Sequence, residues 1–207
     1  MGVYYQGPDD ASRARLGYAL AVAEPGEPAR EVVLRNGGRV RVRAIRPDDA
    51  PRLVALFDRL GRDTVYQRFF TAKKRLPPDW ARRLATVDYG RRLALVAEHD
   101  AGDGPELVGV ARWDPTDDLT TAEVAVVVED RWQNQGLGTA LLADLLRTAG
   151  ARGISRFRAW VLADNARMLR LLARVAEVRE RRTRRGVTEL LLTPRDAGGA
   201  GGPAAGA

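Results

Sequence analysis

The order of short apolar runs and amphipathic stretches predicts an α/β (α+β) chain, with a mixed, mostly antiparallel sheet of about six to seven strands flanked by helices. Three observations carry this. Alternating segments flank Asn36-Gly37-Gly38 near one end and Arg185-Gly186 near the other, and both read as hairpins. The run from Ala122 to Val128 is the most hydrophobic in the chain and belongs at the centre of a sheet. From there to Val175 the pattern switches in turn between strand-like and helical spacing.

The elements follow in order. Glu31 to Leu34 and Arg39 to Ile45 form the opening strand pair. Arg46-Pro47-Asp48-Asp49 supplies a helix start, followed by Leu53, Leu56, Phe57 and Leu60 at helical spacing. A second helix holds Val65, Tyr66, Phe69 and Phe70, and a third, after Pro77-Pro78-Asp79, holds Trp80, Leu84 and Val87. Leu93 to Ala97, Leu107 to Trp113 and Ala122 to Val128 are strands separated by Asp-, Gly- and Pro-rich turns. A helix starts near Gly136, carries Leu137, Leu141, Leu145 and Ala149 on one face, and stops near Gly150. Phe157 to Leu162 is a strand, Asn165 to Val175 a helix, and Val178 to Arg182 with Val187 to Leu192 a closing hairpin. The domain therefore spans 30–194. Residues 1–29 are expected to form a flexible arm with at most a short helix over 11–23, and the Gly/Ala-rich residues 195–207 a disordered tail.

Composition narrows the function classes. The 207 residues include no Cys and a single His, His99, which excludes thiol nucleophiles, disulfide scaffolds and cysteine-zinc sites and leaves no His-rich metal centre. No metal is expected, and His99 is expected at a strand end with no catalytic task. No apolar run reaches the ~18 residues of a membrane span and no secretory signal pattern opens the chain, so a cytoplasmic protein without a membrane partner is expected. The net charge is +7, and nearly all the cations are Arg. That excess suits an anionic partner, yet an Arg- and Ala-rich composition also follows from coding bias, so nucleic acid is not favoured as a partner.

One segment carries chemistry: Val126-Val127-Val128-Glu129-Asp130-Arg131-Trp132-Gln133-Asn134-Gln135-Gly136-Leu137-Gly138-Thr139. A buried strand runs into a polar loop, and two glycines open an amphipathic helix whose free N–H groups face outward with the positive end of the helix dipole. Such a turn can cradle a pyrophosphate. Gly136 and Gly138 would also serve a plain tight turn. A P-loop and a dinucleotide-binding fingerprint are both excluded, the first by the missing Gly-Lys-Ser/Thr, the second by Ala140 and Leu141 after Gly138.

The segment resembles motif A of the GCN5-related N-acetyltransferase (GNAT) family, Gln/Arg-x-x-Gly-x-Gly/Ala, through Gln133-Asn134-Gln135-Gly136-Leu137-Gly138. The element order from Arg30 to Pro194 is similar to that fold over almost its whole length. The resemblance implies a GNAT-like sheet and acetyl-CoA as co-substrate. Its pyrophosphate would sit on Asn134 through Thr139, namely Asn134, Gln135, Gly136, Leu137, Gly138 and Thr139, with Gln133 shaping the loop. It also implies that the strand splays from its neighbour and that Val126, Val127 and Val128 pair with the pantetheine arm, while a backbone N–H there polarises the thioester carbonyl. Leu162-Ala163-Asp164-Asn165-Ala166-Arg167-Met168 resembles motif B, which gives Asn165 a cofactor contact; a plain helix cap is the other reading of that residue. Four residues at three places depart from common patterns. Leu172 stands where many relatives have a Tyr acid, Ala176-Glu177 replaces a Gly-Phe helix ending, and Trp160 stands where ribosomal-protein acetyltransferases have Glu.

The inferred reaction is direct attack of an amine on the thioester. Glu123 is the candidate general base, because a carboxylate in so apolar a run is costly unless paired or used. It shares a strand face with Ala125 and Val127. The alternative is an ordinary strand-edge Glu paired with an Arg. Glu129 is the second candidate, at the mouth of the loop and toward solvent. Arg43-Ala44-Ile45-Arg46-Pro47-Asp48-Asp49, Tyr66-Gln67-Arg68-Phe69-Phe70 and Ala122-Glu123-Val124-Ala125-Val126 resemble the catalytic domain of Pat-type bacterial protein lysine acetyltransferases, where the central-strand Glu is the proposed base. That branch implies a protein substrate with a reactive lysine. A nucleotide-binding module, fused to the domain in several such proteins, is not expected to fit in this chain. Tyr66, Arg68, Phe69 and Phe70 line the acceptor side or, as aromatics, fill helix core. A small-molecule amine acetyltransferase and a non-catalytic acyl-CoA sensor are the alternatives.

Overall fold

A computed structural model describes residues 29–102 and 104–195. The arm expected over 1–29 and the tail over 195–207 lie, but for Ala29 and Arg195, outside the described residues. The chain runs β1 (Arg30–Val33), β2 (Arg39–Ala44), a 3-10 turn (Pro47–Asp49), α1 (Ala50–Asp58), α2 (Arg62–Phe69), α3 (Pro78–Ala85), β3 (Leu93–Asp100), β4 (Pro105–Pro115) and β5 (Thr121–Val128). A second 3-10 turn (Asp130–Trp132) follows, then α4 (Leu137–Gly150), β6 (Arg156–Leu162), α5 (Ala166–Val175), β7 (Ala176–Arg184) and β8 (Val187–Pro194). All strands join one sheet in the order β1-β2-β3-β4-β5-β6-β8-β7. Among the described residues that makes eight strands rather than six to seven, because both terminal hairpins extend the same sheet. Every pairing is antiparallel except β5 with β6, which α4 connects.

The sheet separates two cores. Val124, Val126 and Val128 of β5 pack with Leu137, Leu141, Leu142 and Leu145 of α4 on one face. On the other, Val110 and Val127 pack with Leu53, Leu56 and Phe57 of α1 and Ala81 and Ala85 of α3. The spacing of the α4 leucines is that of a helix with one buried stripe. Period-two alternation on β5 feeds both cores, so Glu123, Ala125 and Val127 look toward α1–α3. Asp144 fastens α4 to the first strand by accepting from Arg30 Nε at 3.0 Å.

The opening strands are held by a buried charge cluster. Arg43 donates to both oxygens of Asp49 at 2.7 and 2.8 Å and also to Glu98, and the Arg46 N–H donates to Asp49 at 2.8 Å. Asp49 is 0% exposed. Burial pushes its carboxyl up, but the hydrogen bonds from Arg43 and Arg46 and the charges of Arg43 and Arg52 outweigh this and hold it below the ordinary carboxylate value. The Arg-Pro-Asp-Asp segment is thus a clamp tying β2 and β3 to the start of α1.

Removing one partner of such a pair strands a buried charge. Asp49→Asn is expected to lose about 3 kcal/mol of unfolding free energy at neutral pH, read from urea denaturation. Because the folded pKa is depressed, Asp49's stabilisation is full above about pH 4 and fades as pH falls through the folded pKa; the variant's deficit should shrink accordingly in acid.

Candidate active site

The site begins where a parallel pairing stops. Thr121, Ala122 and Glu123 of β5 are in register with Arg156, Phe157 and Arg158 of β6, and no residue beyond them is paired across that boundary. β5 stays paired with β4 up to Val128, and β6 with β8 up to Leu162. The two strands therefore splay after Glu123. A cleft of about 320 Å³ fills the gap, lined by Glu123 through Val128 on one wall and Ala159, Trp160 and Val161 on the other.

The splay exposes backbone. Glu129 N–H donates to Val108 O on β4 at 3.0 Å, so by strand alternation Val127 and Ala125 also direct their backbone groups to β4. Those of Val124, Val126 and Val128 face the cleft. Val127 thus offers the cleft a side chain and no free backbone edge, unlike Val126 and Val128.

At the cleft's end the loop is pinned from three sides. Gln133 Nε2 donates to Val128 O at 2.8 Å and to Thr64 Oγ1 at 3.2 Å, and its Oε1 accepts from Arg167 of α5. Asp130 accepts from the Gly61 N–H at 2.8 Å and from Thr64 Oγ1 at 2.7 Å, fixing the start of α2. Arg35 N–H, in the β1–β2 turn, donates to Gln135 O at 3.1 Å. Gly136 then adopts φ +95°, a left-handed conformation that favours glycine. A Cβ on Gly138 would stand 3.0 Å from Leu171 Cδ1, so glycine there keeps α4 close to α5. The first bond into α4 runs from Ala140 N–H to Gly136 O at 3.0 Å. Among the described residues the N–H groups of Leu137, Gly138 and Thr139 have no carbonyl partner, which is the donor set of an anion cradle.

The expected cofactor residues do not all present side chains. Gln133, Asn134, Gly136, Gly138, Thr139 and Asn165 line the cleft. Leu137 is buried in the α4 core, and Gln135 turns its Nε2 to Arg131 O at 2.8 Å. Both can contribute only backbone. Asn165 Oδ1 accepts from Met168 N–H at 3.0 Å, so it caps α5 while lining the cleft. Leu172 also lines it, leaving no acid where many relatives have Tyr.

Glu123 sits half-buried on the α2 side of the cleft, and its carboxylate makes no hydrogen bond or ion pair among the described residues. The arginine in register with it, Arg158, pairs instead with Glu189 at 3.2 Å. The paired strand-edge reading of Glu123 is therefore not the one observed. Burial and then the Asp114 charge push its carboxyl above the ordinary value, against Arg68, Arg112 and Arg158. Glu129 differs in every respect: it is 4% exposed rather than solvent-facing, and Arg59 at 3.0 Å and Arg131 at 2.5 Å neutralise it. It closes the β5 end and is not free to accept a substrate proton.

Arg68 and Phe70 line the cleft, whereas Phe69 packs on Phe57 with ring centroids 5.6 Å apart and Tyr66 is exposed. Arg68 has no carboxylate partner among the described residues. Burial and the neighbouring Arg112 lower its guanidinium to about 10, still a cation at neutral pH. His99 lies next to the last residue of β3, its ring centroid 4.6 Å from that of Trp132 and the planes tilted by 54°. Sequence reasoning missed Thr64, Gln67, Arg35 and the α5 cations Arg167, Arg170 and Arg174, all on the cleft wall. The amphipathic pattern of α5 was the available signal for the last three. No group of three His, Cys, Asp or Glu residues that could hold a metal occurs among the described residues.

Comparison with known proteins agrees with this geometry. The model of the acetyltransferase (GNAT) family matches residues 55–176. Acetyltransferase Pat of Mycolicibacterium smegmatis is 31% identical over 149 residues, 71% of this chain and 44% of the relative, so the chain spans less than half of that protein's length. The GNAT domain of S. lividans PAT is 33% identical, with a TM-score of 0.72 over 80% of this chain and 96% of that one. A cAMP-binding acyltransferase from Mycobacterium smegmatis is 28% identical, with a TM-score of 0.56 over 81% of this chain and 48% of that one. The chain belongs to the acetyltransferase (GNAT) family, enzymes that take an acetyl group from acetyl-CoA.

Proposed function

We propose that the protein transfers acetyl from acetyl-CoA to the side-chain amine of protein lysines, with Glu123 as general base. The observation that carries the reading is an unpaired carboxylate on one side of a cleft whose other side ends in an anion cradle. In this reading the pyrophosphate sits on the N–H groups of Leu137, Gly138 and Thr139, and the α5 arginines lie beside it. The pantetheine arm pairs with the free backbone edge at Val126 and Val128. That edge also supplies an N–H to the thioester carbonyl, a donor typically worth ~3 kcal/mol to an oxyanion.

The acceptor approaches from the α2 side. A lysine ammonium with pKa near ~10.4 is almost wholly protonated at neutral pH, a handicap of about 4 kcal/mol. Glu123 takes that proton, directly or through a water, and the neutral amine attacks the carbonyl carbon. The C–N bond forms, the C–S bond breaks, and CoA leaves as its thiolate, which then takes the second proton of the acetylated nitrogen directly or through water. Leu172 offers it no proton, and the low basicity of a thiolate makes it a tolerable leaving group without one.

The likeness to Acetyltransferase Pat and to the S. lividans PAT domain supports the protein-lysine acceptor. The reading also takes the enzyme to work in the cytoplasm.

Glu123→Gln is expected to lower turnover about 10²- to 10³-fold while leaving acetyl-CoA affinity nearly unchanged by titration calorimetry. Incubating a protein extract with acetyl-CoA and either form, then mapping acetyl-lysine by mass spectrometry, should give sites for the wild type only. CoA release with small amines and no protein sites would replace the lysine acceptor; acetyl-CoA binding without any turnover would make the protein a sensor. Gly136→Val, strained at positive φ, should weaken acetyl-CoA binding about tenfold, and an unchanged affinity would remove the loop from the donor site.

A further inference from the structure

Glu123 shares its side of the sheet with a second carboxylate. The β4–β5 register sets Asp114 directly opposite it. Opposite residues of an antiparallel pair present their side chains on one face about 5 Å apart, where like charges repel. Asp114 cannot turn away, because Arg112 donates to it at 2.9 and 3.3 Å and Arg92 Nε lies 3.0 Å from it. Arg112 is itself buried and donates to Leu84 O at 3.3 Å, which anchors the carboxylate to α3. Among the described residues, the charges that act on Glu123 include the carboxylate of Asp114 of β4 and the guanidiniums of Arg68 of α2, Arg112 of β4 and Arg158 of β6.

Two of these cations are already occupied, Arg112 by Asp114 and Arg158 by Glu189. Arg68 is the one without a carboxylate of its own among the described residues. We propose that Asp114 is a positioning residue, a fixed negative charge held by Arg92 and Arg112 across from Glu123 that keeps the catalytic carboxylate basic, with Arg68 as the counterweight that keeps it ionised. The proposal rests on Glu123 being the base. A general base works best when its pKa lies near the working pH. Too low, and it holds the amine's proton poorly; too high, and it is already protonated.

The directions agree. Burial and Asp114 raise the proton affinity of Glu123, and Arg68, Arg112 and Arg158 lower it. Although burial pushes Asp114 up, Arg112, Arg92 and Arg68 hold it below the ordinary carboxylate value, so it stays charged throughout the range in which Glu123 titrates. Asp114→Asn removes the negative charge and also frees Arg92 and Arg112; both effects lower the Glu123 pKa. Arg68→Gln raises it.

The test follows Glu123 itself. Protein labelled with carbon-13 at glutamate carboxyls is titrated by NMR, with the signal assigned through Glu123→Gln. In parallel, kcat/KM is measured against pH with acetyl-CoA and the peptide acetyl-Gly-Lys-Gly-amide. Asp114→Asn should move the Glu123 midpoint down by about one pH unit and Arg68→Gln should move it up by a similar amount, with the acid limb of kcat/KM following each. A midpoint that stays put in both variants overturns the proposal, including where activity falls, since that loss would be purely structural. A midpoint that moves while the acid limb does not overturns Glu123 as the base and the proposal with it. Midpoints that move as expected, in an enzyme that turns over ethanolamine and not the peptide, support the coupling and remove the lysine acceptor alone. Should Asp114→Asn fail to fold, Arg68→Gln decides by the same two readouts.

Discussion

The splay between β5 and β6 is the constraint on which the site depends. β1 and β7 are the outer edges of the sheet, but inside it the facing edges of β5 and β6 have no strand partner beyond Glu123 and Arg158. A backbone group left unsatisfied out of water costs about 1–3 kcal/mol, so such an edge persists in a fold only with solvent or a ligand against it. The architecture holds it open from outside: β6 is drawn to β8, and Gln133 bridges the end of β5 to α2 and α5. In the proposed donor site, a ligand supplying amide groups along this edge would replace the missing strand, with its negative charge on the first turn of α4.

Carboxylates divide into two kinds on this scaffold. Asp49, Glu98 and Glu129 are buried and met by arginines, and they fasten elements together. Glu123 is less buried and has no guanidinium within ion-pair distance among the described residues. A chain with 34 basic residues had ample means to neutralise it. Its register neighbour Arg158 turns to Glu189, while a second carboxylate faces it from β4, which fits the proton-acceptor role proposed for it.

Much of this was legible in the sequence because it rests on local pattern. The leucine spacing of α4, the apolar run of β5, the glycines before α4 and the Asn before α5 each act within a few residues, and the elements fall within a residue or two of the expected bounds there. The face shared by Glu123, Ala125 and Val127 follows from alternation alone. What was not legible depends on register and on packing between distant segments. Asp114 lay beyond the expected strand end at Trp113, and only the antiparallel pairing over Pro115 and Ala122 sets it opposite Glu123. Glu129 reads as a loop residue at the mouth of the site, yet Arg59, seventy positions earlier, folds over to cover it. Phe69 and Phe70 are adjacent, but the helix ends between them, sending one into the core and the other to the cleft.

In the proposed mode of binding, the open edge of β5 and the first turn of α4 form one continuous donor site. The most direct measurement is a crystal structure of the protein with acetyl-CoA. The pantetheine amides are expected to pair with the backbone of Val126 and Val128, the pyrophosphate to sit on the N–H groups of Leu137, Gly138 and Thr139, and the thioester carbon to lie within reach of an amine beside Glu123. A cofactor bound elsewhere, or a β5 edge closed onto β6 in the complex, would contradict it.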